Sequence, residues 1–441
     1  MGPGGEEVAG KLAEAGLSVV GIDELLVGGE CPYWGCIPSK MMIRAADLLA
    51  EAGRVEGMAG RATATPDWAP VAKRIRAEAT DDWDDRVAVE RFESKGGRFM
   101  RGHGRVTGPG RVEVGDLELE AATAIVVATG SHAAIPPIPG LADVEYWTNH
   151  DAIETKEVPA SLVVLGGGAI GLELGQVFAR FGARVRVVEA LDRLLALEEP
   201  EASALVNEVF GREGIEVHVE RKATEVATGG DGIVVRLDNG DEVTGERVLV
   251  ATGRRVDVTA VGLDNVGVPA DARAAPVDEN LRVAPGVWAI GDVTGKGAFT
   301  HVSMYQARIA IADILGRPHD AADYKALPRV TFTDPEVGAV GMTEKAARDA
   351  GINVRTGSTS VPTTARGWIH KAGNDGVIKL VEDGDRGVLV GGTAMGPNGG
   401  EVLGFLALAV HAEIPTDRLR TMIYAYPTFH RGIEDALRDL G

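Results

Sequence analysis

The sequence predicts an α/β fold with two doubly wound domains followed by a C-terminal α+β domain. The first observation is a unit of apolar strand, glycine-rich turn, helix and second strand ending in an acid, complete in "SLVVLGGGAIGLELGQVFARFGARVRVVEA", Ser161–Ala190. The second is a partial copy of this unit at the start of the chain, "MGPGGEEVAGKLAEAGLSVVGIDE". The third is a change from Leu327 onward to hairpin-like segments and long helices, which is typical of a separate α+β domain.

Composition and charge narrow the function classes. The chain has 441 residues and a formal net charge of −20, which disfavours nucleic acid and anionic membrane as partners. No apolar run approaches the roughly 20 residues of a membrane helix, and the N-terminus lacks the basic and apolar regions of a signal peptide. We therefore expect a soluble cytoplasmic protein. The chain has two cysteines, and in a reducing compartment a disulfide between them would be made and broken.

The complete unit has the features of a dinucleotide-binding fold. Gly166 permits the tight turn after the first strand, and Gly168 lets a pyrophosphate approach the backbone. Gly171 lets the helix pack closely on the strand, and the helix N-terminus faces the phosphates. Glu189 ends the second strand, where an acid accepts the hydroxyls of an adenosine ribose, which favours NAD over NADP. The alternative is a tight turn without a ligand.

The partial unit keeps only part of this pattern. Gly2 and Gly5 match the second and third glycines, and they precede a helix predicted over Glu6–Ala15, a strand over Leu17–Ile22 and Asp23 as the ribose acid. The first glycine and the strand before it are missing, and that strand is central in a doubly wound sheet. We expect them to lie upstream of Met1; the alternative is that this unit binds its nucleotide poorly.

The segments between the two units are predicted in less detail. Met41–Gly53 has the spacing of an amphipathic helix, and Thr65–Lys95 is predicted as a second, more polar helix. A small antiparallel sheet and a buried strand before Thr129–Gly130 follow.

The cysteines lie in "GGECPYWGCIPSK", Gly28–Lys40. No His or Asp pair at metal-ligand spacing accompanies them, which disfavours a metal site; two buried structural thiols are the other alternative. "IPSK" is typical of a helix start, and this places Cys36 just before a helix N-terminus with Lys40 nearby. Both features lower the pKa of a thiol, so the sequence favours redox chemistry.

This segment resembles the redox-active disulfide segment of the class I pyridine nucleotide–disulfide oxidoreductases, which include dihydrolipoamide dehydrogenase, glutathione reductase and mercuric reductase. "VVATGSHAAIPPIPG", "VWAIGDVTGKGAFTHVSMYQARIA" and "VTFTDPEVGAVGMTEKAARDAG" extend the resemblance over essentially the whole chain. It implies a homodimer, bound FAD and NAD, and four parts. These are the first part of the FAD-binding domain, an NAD(P)-binding domain, a second FAD or central part and a dimerisation domain, at 1–150, 151–275, 276–320 and 321–441.

The resemblance also implies the site residues. Those for FAD are Gly2, Gly5, Asp23, Gly28, Gly29, Lys40, Gly104, Thr129, Gly130, Ser131, Asp292, Ala298 and His301. Those for NAD are Gly166, Gly168, Gly171, Glu189, Val226 and Gly253. The catalytic set is Cys31, Cys36, Lys40, Glu173 and Tyr426, with Glu173 expected to pair with Lys40. No metal is implied.

The implied reaction passes electrons between NADH and a small-molecule disulfide or other oxidant through FAD and a Cys31–Cys36 disulfide. In this scheme Cys36 rests as a thiolate beside the flavin and Cys31 attacks the substrate disulfide.

The C-terminus departs from the family pattern. Disulfide-reducing members carry a His-Pro-Thr-x-x-Glu motif, and here Tyr426 and Arg431 stand in the His and Glu positions. A tyrosine with a pKa near 10 is a poor base, and His430 is a candidate substitute. Mercuric reductases carry a tyrosine in this region but also use a C-terminal cysteine pair, which this chain lacks. The alternatives are therefore a reductase of quinones or other acceptors, a mercuric reductase-like enzyme, or a catalytically impaired nucleotide-binding homologue.

Three further residues bear on specificity. Tyr33 and Trp34 place aromatic rings in the disulfide loop. These rings could shield the disulfide or stack on a flat acceptor, but packing on the core is the expected role of aromatic side chains. Arg186 suggests a 2′-phosphate of NADP, but Glu189 would repel that phosphate, so NAD is the expected nucleotide.

Overall fold

The computed structural model describes residues 1–230 and 232–440. Its α-helices are α1 (Pro3–Glu14), α2 (Glu30–Tyr33), α3 (Cys36–Gly53), α4 (Ala69–Arg74), α5 (Arg86–Ser94), α6 (Asn149–Glu154), α7 (Ala169–Arg180), α8 (Pro200–Arg212), α9 (Thr300–Ile314), α10 (Glu344–Asp349), α11 (Ala365–His370), α12 (Gly399–His411), α13 (Thr416–Arg420) and α14 (Gly432–Asp439). In the described part of the chain, no helix is both long and apolar enough to span a bilayer.

The strands are mostly short. They are β1 (Val20–Asp23), β2 (Arg98–Arg101), β3 (Gly104–Gly108), β4 (Arg111–Val114), β5 (Leu117–Glu120), β6 (Ile125–Val127), β7 (His132–Ala133), β8 (Tyr146–Trp147), β9 (Ser161–Leu165), β10 (Arg184–Val188), β11 (Glu216–His218), β12 (Ala223–Gly229), β13 (Gly232–Leu237), β14 (Glu242–Gly245), β15 (Arg247–Val250), β16 (Arg254–Arg255), β17 (Arg282–Ala284), β18 (Val287–Ala289), β19 (Pro328–Thr331), β20 (Glu336–Gly341), β21 (Val354–Ser360), β22 (Val377–Asp383) and β23 (Val388–Gly396).

The chain divides into two compact units. The first unit consists of Met1–Ser39, Ala72–Ala134 and Gly253–Asp323. The second unit consists of Lys40–Val71, Ile135–Thr252 and Tyr324–Gly441. The four-part division at 150, 275 and 320 stays a prediction.

The first unit contains several small sheets. β1 pairs in parallel with β2, and a separate sheet has the order β17-β18-β6, in which β18 and β6 are parallel. Among the described residues β1 has no strand neighbour other than β2, so the expected central strand has no counterpart there. Helix α1 packs closely on α9, because a Cβ at Gly4 would lie 2.8 Å from the Ser303 carbonyl oxygen.

The prediction of a single polar helix over Thr65–Lys95 is wrong. The chain forms α4, a π-helical turn at Ile75–Ala79, and then a left-handed turn before α5 begins. Side-chain contacts stabilise this irregular conformation. The Arg76 guanidinium lies 4.8 Å from the Trp83 ring centroid, and the Asp85 carboxylate accepts a 2.7 Å hydrogen bond from the backbone N–H of Val27.

The second unit contains the complete glycine-rich unit seen in the sequence. Its parallel sheet has the order β11-β10-β9-β15-β8, and β9 is buried along its whole length. A continuous apolar strand of this kind is expected in a parallel sheet covered on both faces. β9 ends at Leu165, and the glycine turn that follows it opens α7 at Ala169.

The C-terminal part of the second unit is an antiparallel sheet of order β19-β20-β23-β22-β21 with helices packed on it. Its core includes Leu380, Leu406 and Ile433, each completely or almost completely buried. The hairpins expected after Leu327 are present. Of the helices described there, α12 has 13 residues, whereas α10, α11, α13 and α14 have five to eight, so the expectation of several long helices is only partly met.

Candidate active site

The two cysteines lie at the starts of two consecutive helices. Cys31 is the second residue of α2 and is partly exposed, whereas Cys36 is the first residue of α3 and is exposed. Pro38 is tolerated in the first turn of α3, where backbone N–H groups have no helical acceptor. The sequence placed Cys36 just before this helix, and the structure places it at the first helical residue. The positive end of a helix favours a thiolate there.

A second helix start lies against Cys36. Its Sγ is 3.5 Å from the Oγ1 of Thr300, which is the first residue of α9. Because a hydroxyl can donate to sulfur, this contact stabilises a Cys36 thiolate. The resemblance placed the segment Ala298–His301, which includes Thr300, at the flavin, but it did not predict the contact between Thr300 and the Cys36 sulfur.

The two rings of the cysteine segment have different environments. Tyr33 is 6% exposed, and burial, with a smaller contribution from the Asp85 charge, raises the pKa of Tyr33 to about 12. Trp34 is partly exposed, and its ring centroid lies 5.8 Å from that of Tyr33. Tyr33 is therefore a core residue, as the packing alternative predicted, whereas the Trp34 ring reaches the surface.

The predicted FAD glycines surround the start of α1. Gly2 caps this helix without a side-chain hydrogen bond, and a Cβ there would have no atom within 4 Å. Gly5 packs closely, since its Cβ would lie 2.9 Å from the Ala128 Cβ. Gly28 and Gly29 adopt positive φ angles of 111° and 65°, and a Cβ at Gly29 would lie 2.8 Å from the Gly2 Cα. The N–H groups in the first turn of a helix have no helical acceptor, and together with the space at Gly2 they fit a pyrophosphate.

Gly104 packs against Ile22, the residue before Asp23 in β1. A Cβ at Gly104 would lie 3.1 Å from the Ile22 side chain. One Asp23 oxygen accepts the Leu25 N–H at 2.7 Å, and the other pairs with the amino group of Met1. These two contacts hold the Asp23 carboxylate at the end of β1.

Asp292 belongs to a hydrogen-bonded group of the first unit. It accepts a 2.6 Å hydrogen bond from Ser131 Oγ, and Arg254 Nε donates to the same Ser131 Oγ at 2.7 Å. Arg254 also lies 3.6 Å from a carboxylate oxygen of Glu30, the residue before Cys31. Sequence reasoning missed Arg254, which directly follows the predicted Gly253.

The remaining FAD predictions are surface positions of the first unit. Thr129, Ala298 and His301 are exposed, and Gly130 has a φ of 70°. The His301 ring stacks on Phe299 with a 5.1 Å centroid separation.

The glycine turn of the second unit has the geometry that a dinucleotide needs. A Cβ at Gly166 would lie 2.3 Å from the Ala251 carbonyl oxygen, and one at Gly171 would lie 2.3 Å from the Gly166 oxygen. In contrast, a Cβ at Gly168 would have no atom within 4 Å, and Gly168 caps α7 without a side-chain hydrogen bond. The packed glycines hold the turn, and Gly168 leaves space at the helix start. The turn therefore fits a pyrophosphate.

Glu189 lies next to this turn. Its carboxylate accepts the backbone N–H of Gly167 at 2.5 Å and that of Leu191 at 2.7 Å. Val226 is 1% exposed and packs in the core with Leu165 and Val188. The structure thus brings Glu189 to the turn and buries the Val226 side chain. Gly253, in the first unit, has a φ of 127° and space around its Cα.

Lys40 and Glu173 form the expected pair. Lys40 Nζ donates to Glu173 Oε2 at 2.8 Å, and the two side chains are 35% and 7% exposed. Glu173 Oε1 accepts the Phe332 N–H at 2.8 Å. The Phe332 ring centroid lies 4.6 Å from Lys40 Nζ. Phe332 is another residue that sequence reasoning missed, although the motif "VTFTDPEVG" contains it.

Tyr426 and Arg431 contact each other. Tyr426 is 69% exposed, and the Arg431 guanidinium lies 5.2 Å from its ring centroid. His430 lies beside the buried Tyr424, with a 6.2 Å ring separation. The two residues in the His and Glu positions of the family motif are therefore joined here by a cation–π contact.

Comparison with known proteins extends along nearly the whole chain. Residues 1–307 match the family described as pyridine nucleotide-disulphide oxidoreductase, and residues 327–437 match its dimerisation domain. A dihydrolipoyl dehydrogenase of Thermus scotoductus is 32% identical over 100% of this chain and 95% of its own length. A mercuric reductase of Streptomyces lividans is 32% identical over 95% of this chain and 90% of its own.

Solved structures agree on the fold. LpdA from Mycobacterium tuberculosis has a TM-score of 0.87 and 26% identity, covering 100% of this chain and 98% of that one. The HOCl-induced flavoprotein disulfide reductase RclA from Escherichia coli has a TM-score of 0.86 at 24% identity, covering 99% and 98%. These matches confirm the predicted fold class and the resemblance. The chain belongs to the pyridine nucleotide-disulphide oxidoreductase family of FAD-dependent, NAD(P)-binding enzymes.

Proposed function

We propose that this protein is an NADH:disulfide oxidoreductase similar to dihydrolipoyl dehydrogenase, acting on a small-molecule disulfide in the cytoplasm. The observation that carries the proposal is the position of Cys36, at the first residue of α3 with its sulfur 3.5 Å from Thr300 at the start of α9. Two helix N-termini and a hydroxyl favour a thiolate at this sulfur. Such a thiolate has a clear use in thiol–disulfide exchange.

The cysteines carry out the exchange. The Cys31 thiolate attacks one sulfur of the substrate disulfide, forming a mixed disulfide and releasing the first substrate thiolate. The Cys36 thiolate then attacks the Cys31 sulfur, which forms the Cys31–Cys36 disulfide and releases the second thiolate. FAD, when bound, supplies the transfer of an electron pair from NADH to this disulfide. In the dehydrogenase direction the same steps run in reverse.

Other residues bind and orient the nucleotides. Gly2 and Gly168 leave space at two helix starts for the pyrophosphates of FAD and NAD. Lys40, paired to Glu173, would place an ammonium at the flavin. Asp292, with Ser131 and Arg254, would hold the ribityl chain.

We infer NAD rather than NADP as the nucleotide. Glu189 directly follows β10 and lies at the glycine turn, and an acid at this position of the fingerprint binds the ribose hydroxyls and would repel a 2′-phosphate. Arg186, the residue that suggested a 2′-phosphate, is 3.0 Å from Glu216 and donates to the Thr244 carbonyl at 2.9 Å. A kcat/KM for NADPH equal to that for NADH would refute this assignment.

A homodimer is part of the proposal. The dimerisation-domain match supports it, as do exposed apolar side chains in this region, including Trp368 at 74% and Ile423 at 95%. Sedimentation analysis should show a dimer, and a monomer at micromolar concentration would contradict this part of the proposal.

The test is NADH oxidation by the flavin-loaded protein with lipoamide, low-molecular-weight disulfides, quinones or Hg(II) as the oxidant. Two-electron reduction should give a long-wavelength thiolate–flavin absorption band that Cys36→Ser abolishes. If wild type lacks this band, the disulfide has no part in the reaction.

A second candidate is an NADH-dependent reductase of quinones or other acceptors. It is favoured by the exposed Tyr426, which contacts Arg431 and stands where the family motif has its histidine, because a phenol is a weaker general base than an imidazole. Quinone turnover that survives in the Cys31→Ser/Cys36→Ser double variant would favour this candidate, and its loss would favour disulfide exchange.

A further inference from the structure

One face of α7 holds the connection between β19 and β20. Glu173 accepts the N–H of Phe332 at 2.8 Å, and Gln176 exchanges hydrogen bonds of 2.8 and 3.0 Å with the N–H and carbonyl of Asp334. Arg180 lies 2.7 Å from the Asp334 carboxylate. Spacings of three and four residues put these α7 side chains on one face. The backbone position of Phe332 is therefore set by side chains of the helix that follows the glycine turn.

Helix α3 approaches the same connection. The Lys40 ammonium lies 4.6 Å from the Phe332 ring centroid. Arg54, the residue after α3, pairs with Asp334 at 2.6 Å. Phe332 thus contacts both members of the Lys40–Glu173 pair, one through its ring and the other through its N–H. A carboxylate alone fixes the distance of an ammonium but leaves its direction variable, because lysine has a flexible four-carbon stem. The ring restricts that direction.

We propose that Phe332 is a positioning residue that holds the Lys40 ammonium in the single direction required at the flavin. This deepens the proposed function, since it rests on the assignment of Lys40 to the flavin. The C-terminal part of the chain then has a role in the redox site of its own subunit, in addition to dimerisation. The contact at a partly exposed lysine is expected to change measured rates by about three- to tenfold.

The first experiment measures Lys40 itself, without turnover. Purified full-length protein is acylated with a succinimidyl ester, and the rate at each lysine is read by peptide mass spectrometry. Phe332→Leu keeps the backbone N–H and removes the ring, so Lys40 acylation should rise about three- to tenfold. Phe332→Tyr should restore the wild-type rate. Lys11, which is 48% exposed and paired with Glu14, is the internal control and should not change.

The second experiment measures the rate constant of flavin reduction at saturating NADH by stopped flow. It should fall about three- to tenfold in Phe332→Leu with an unchanged apparent Kd for NADH, and Phe332→Tyr should recover it. If Phe332→Leu is not folded by circular dichroism, Phe332→Met carries the same comparison.

The outcomes separate the two proposals. Unchanged Lys40 acylation in the ring-less variant overturns the positioning role, whatever the enzyme does. Increased acylation in a protein whose flavin NADH does not reduce supports the positioning role while the proposed function fails. Increased acylation with an unchanged reduction rate overturns the link between Lys40 and the flavin.

Discussion

Replacing Arg180 by methionine should strongly destabilise the second unit. The Arg180 side chain is 7% exposed and pairs with Asp47 at 2.8 Å, Glu213 at 2.6 Å and Asp334 at 2.7 Å. Methionine has a similar length, so the change removes the charge and the hydrogen bonds more than the volume. The three carboxylates then lose their common cation while staying partly buried.

The size of the loss follows from this arrangement. Removing one partner of a buried ion pair costs about 3–5 kcal/mol, because an uncompensated charge stays behind. Asp334 keeps Arg54 at 2.6 Å, and Asp47 is 34% exposed, so the lower end, about 3 kcal/mol, is expected. The matched control is Arg86→Met, which breaks an exposed pair with Glu90 whose side chains are 60% and 61% exposed. Its effect on stability should be far smaller, because exposed ion pairs contribute little.

Urea unfolding followed by tryptophan fluorescence measures both variants at equal protein concentration. Trp68 reports on the region, since its ring lies 5.0 Å from Phe181 and is 6% exposed. A loss for Arg180→Met no larger than that of Arg86→Met would refute the reasoning, because it would mean that water compensates the three carboxylates.

Other substitutions test other features of the molecule. Burial raises the pKa of Asp47 from 3.8 to about 6. Between these two pH values the folded state therefore binds more protons than the unfolded state, so the contribution of Asp47 to the free energy of unfolding falls as the pH rises. Asp47→Asn should flatten the fall in thermal midpoint between about pH 4 and 6, and an unchanged slope would contradict this. Gly140→Ala should cost about 1–3 kcal/mol, because Gly140 has a φ of 78° and a Cβ there would lie 1.9 Å from the Val226 oxygen. Gly182 has a φ of 101° and no atom near an added Cβ, so Gly182→Ala should lower the free energy of unfolding by less. Calorimetry of both variants measures the difference. Thr300→Val should slow Cys36 alkylation by iodoacetamide about two- to fivefold at neutral pH, whereas Thr300→Ser should not; equal rates in the two variants would show that the hydroxyl does not act on the sulfur.

Local rules predicted much of the site. The strand, glycine turn and helix from Ser161 to Arg180 lie where the sequence placed them, because each step depends on residues next to it in the chain. The helix start at Cys36 was predicted to within a residue from "IPSK" alone. The prediction for residues 65–95 was wrong because three consecutive residues, Asp81 to Trp83, take left-handed conformations that local propensity disfavours. Contacts with residues distant in the sequence outweigh that propensity.

Motif resemblance and tertiary contact also made different contributions. The motif "VTFTDPEVG" helped to identify the family, but nothing in it showed that Phe332 lies against Lys40, almost 300 residues earlier. Similarly, Arg254 follows the predicted Gly253, yet its role appears only through its bonds to Ser131 and its approach to Glu30. Spacing along the chain carries no information about such pairs.

The sequence by itself determined the family, the fold class, the glycine turns and the cysteine pair, since each of these depends on short segments whose conformation is set by residues close together in the chain. Only the tertiary structure decided what surrounds those segments: Thr300 at the Cys36 sulfur, Phe332 at the Lys40 ammonium, and Arg431 over Tyr426. Hydrogen bonds and cation–π contacts act over a few ångströms in space. Whether two side chains come that close depends on how helices and strands pack, which the order of residues in either segment does not specify.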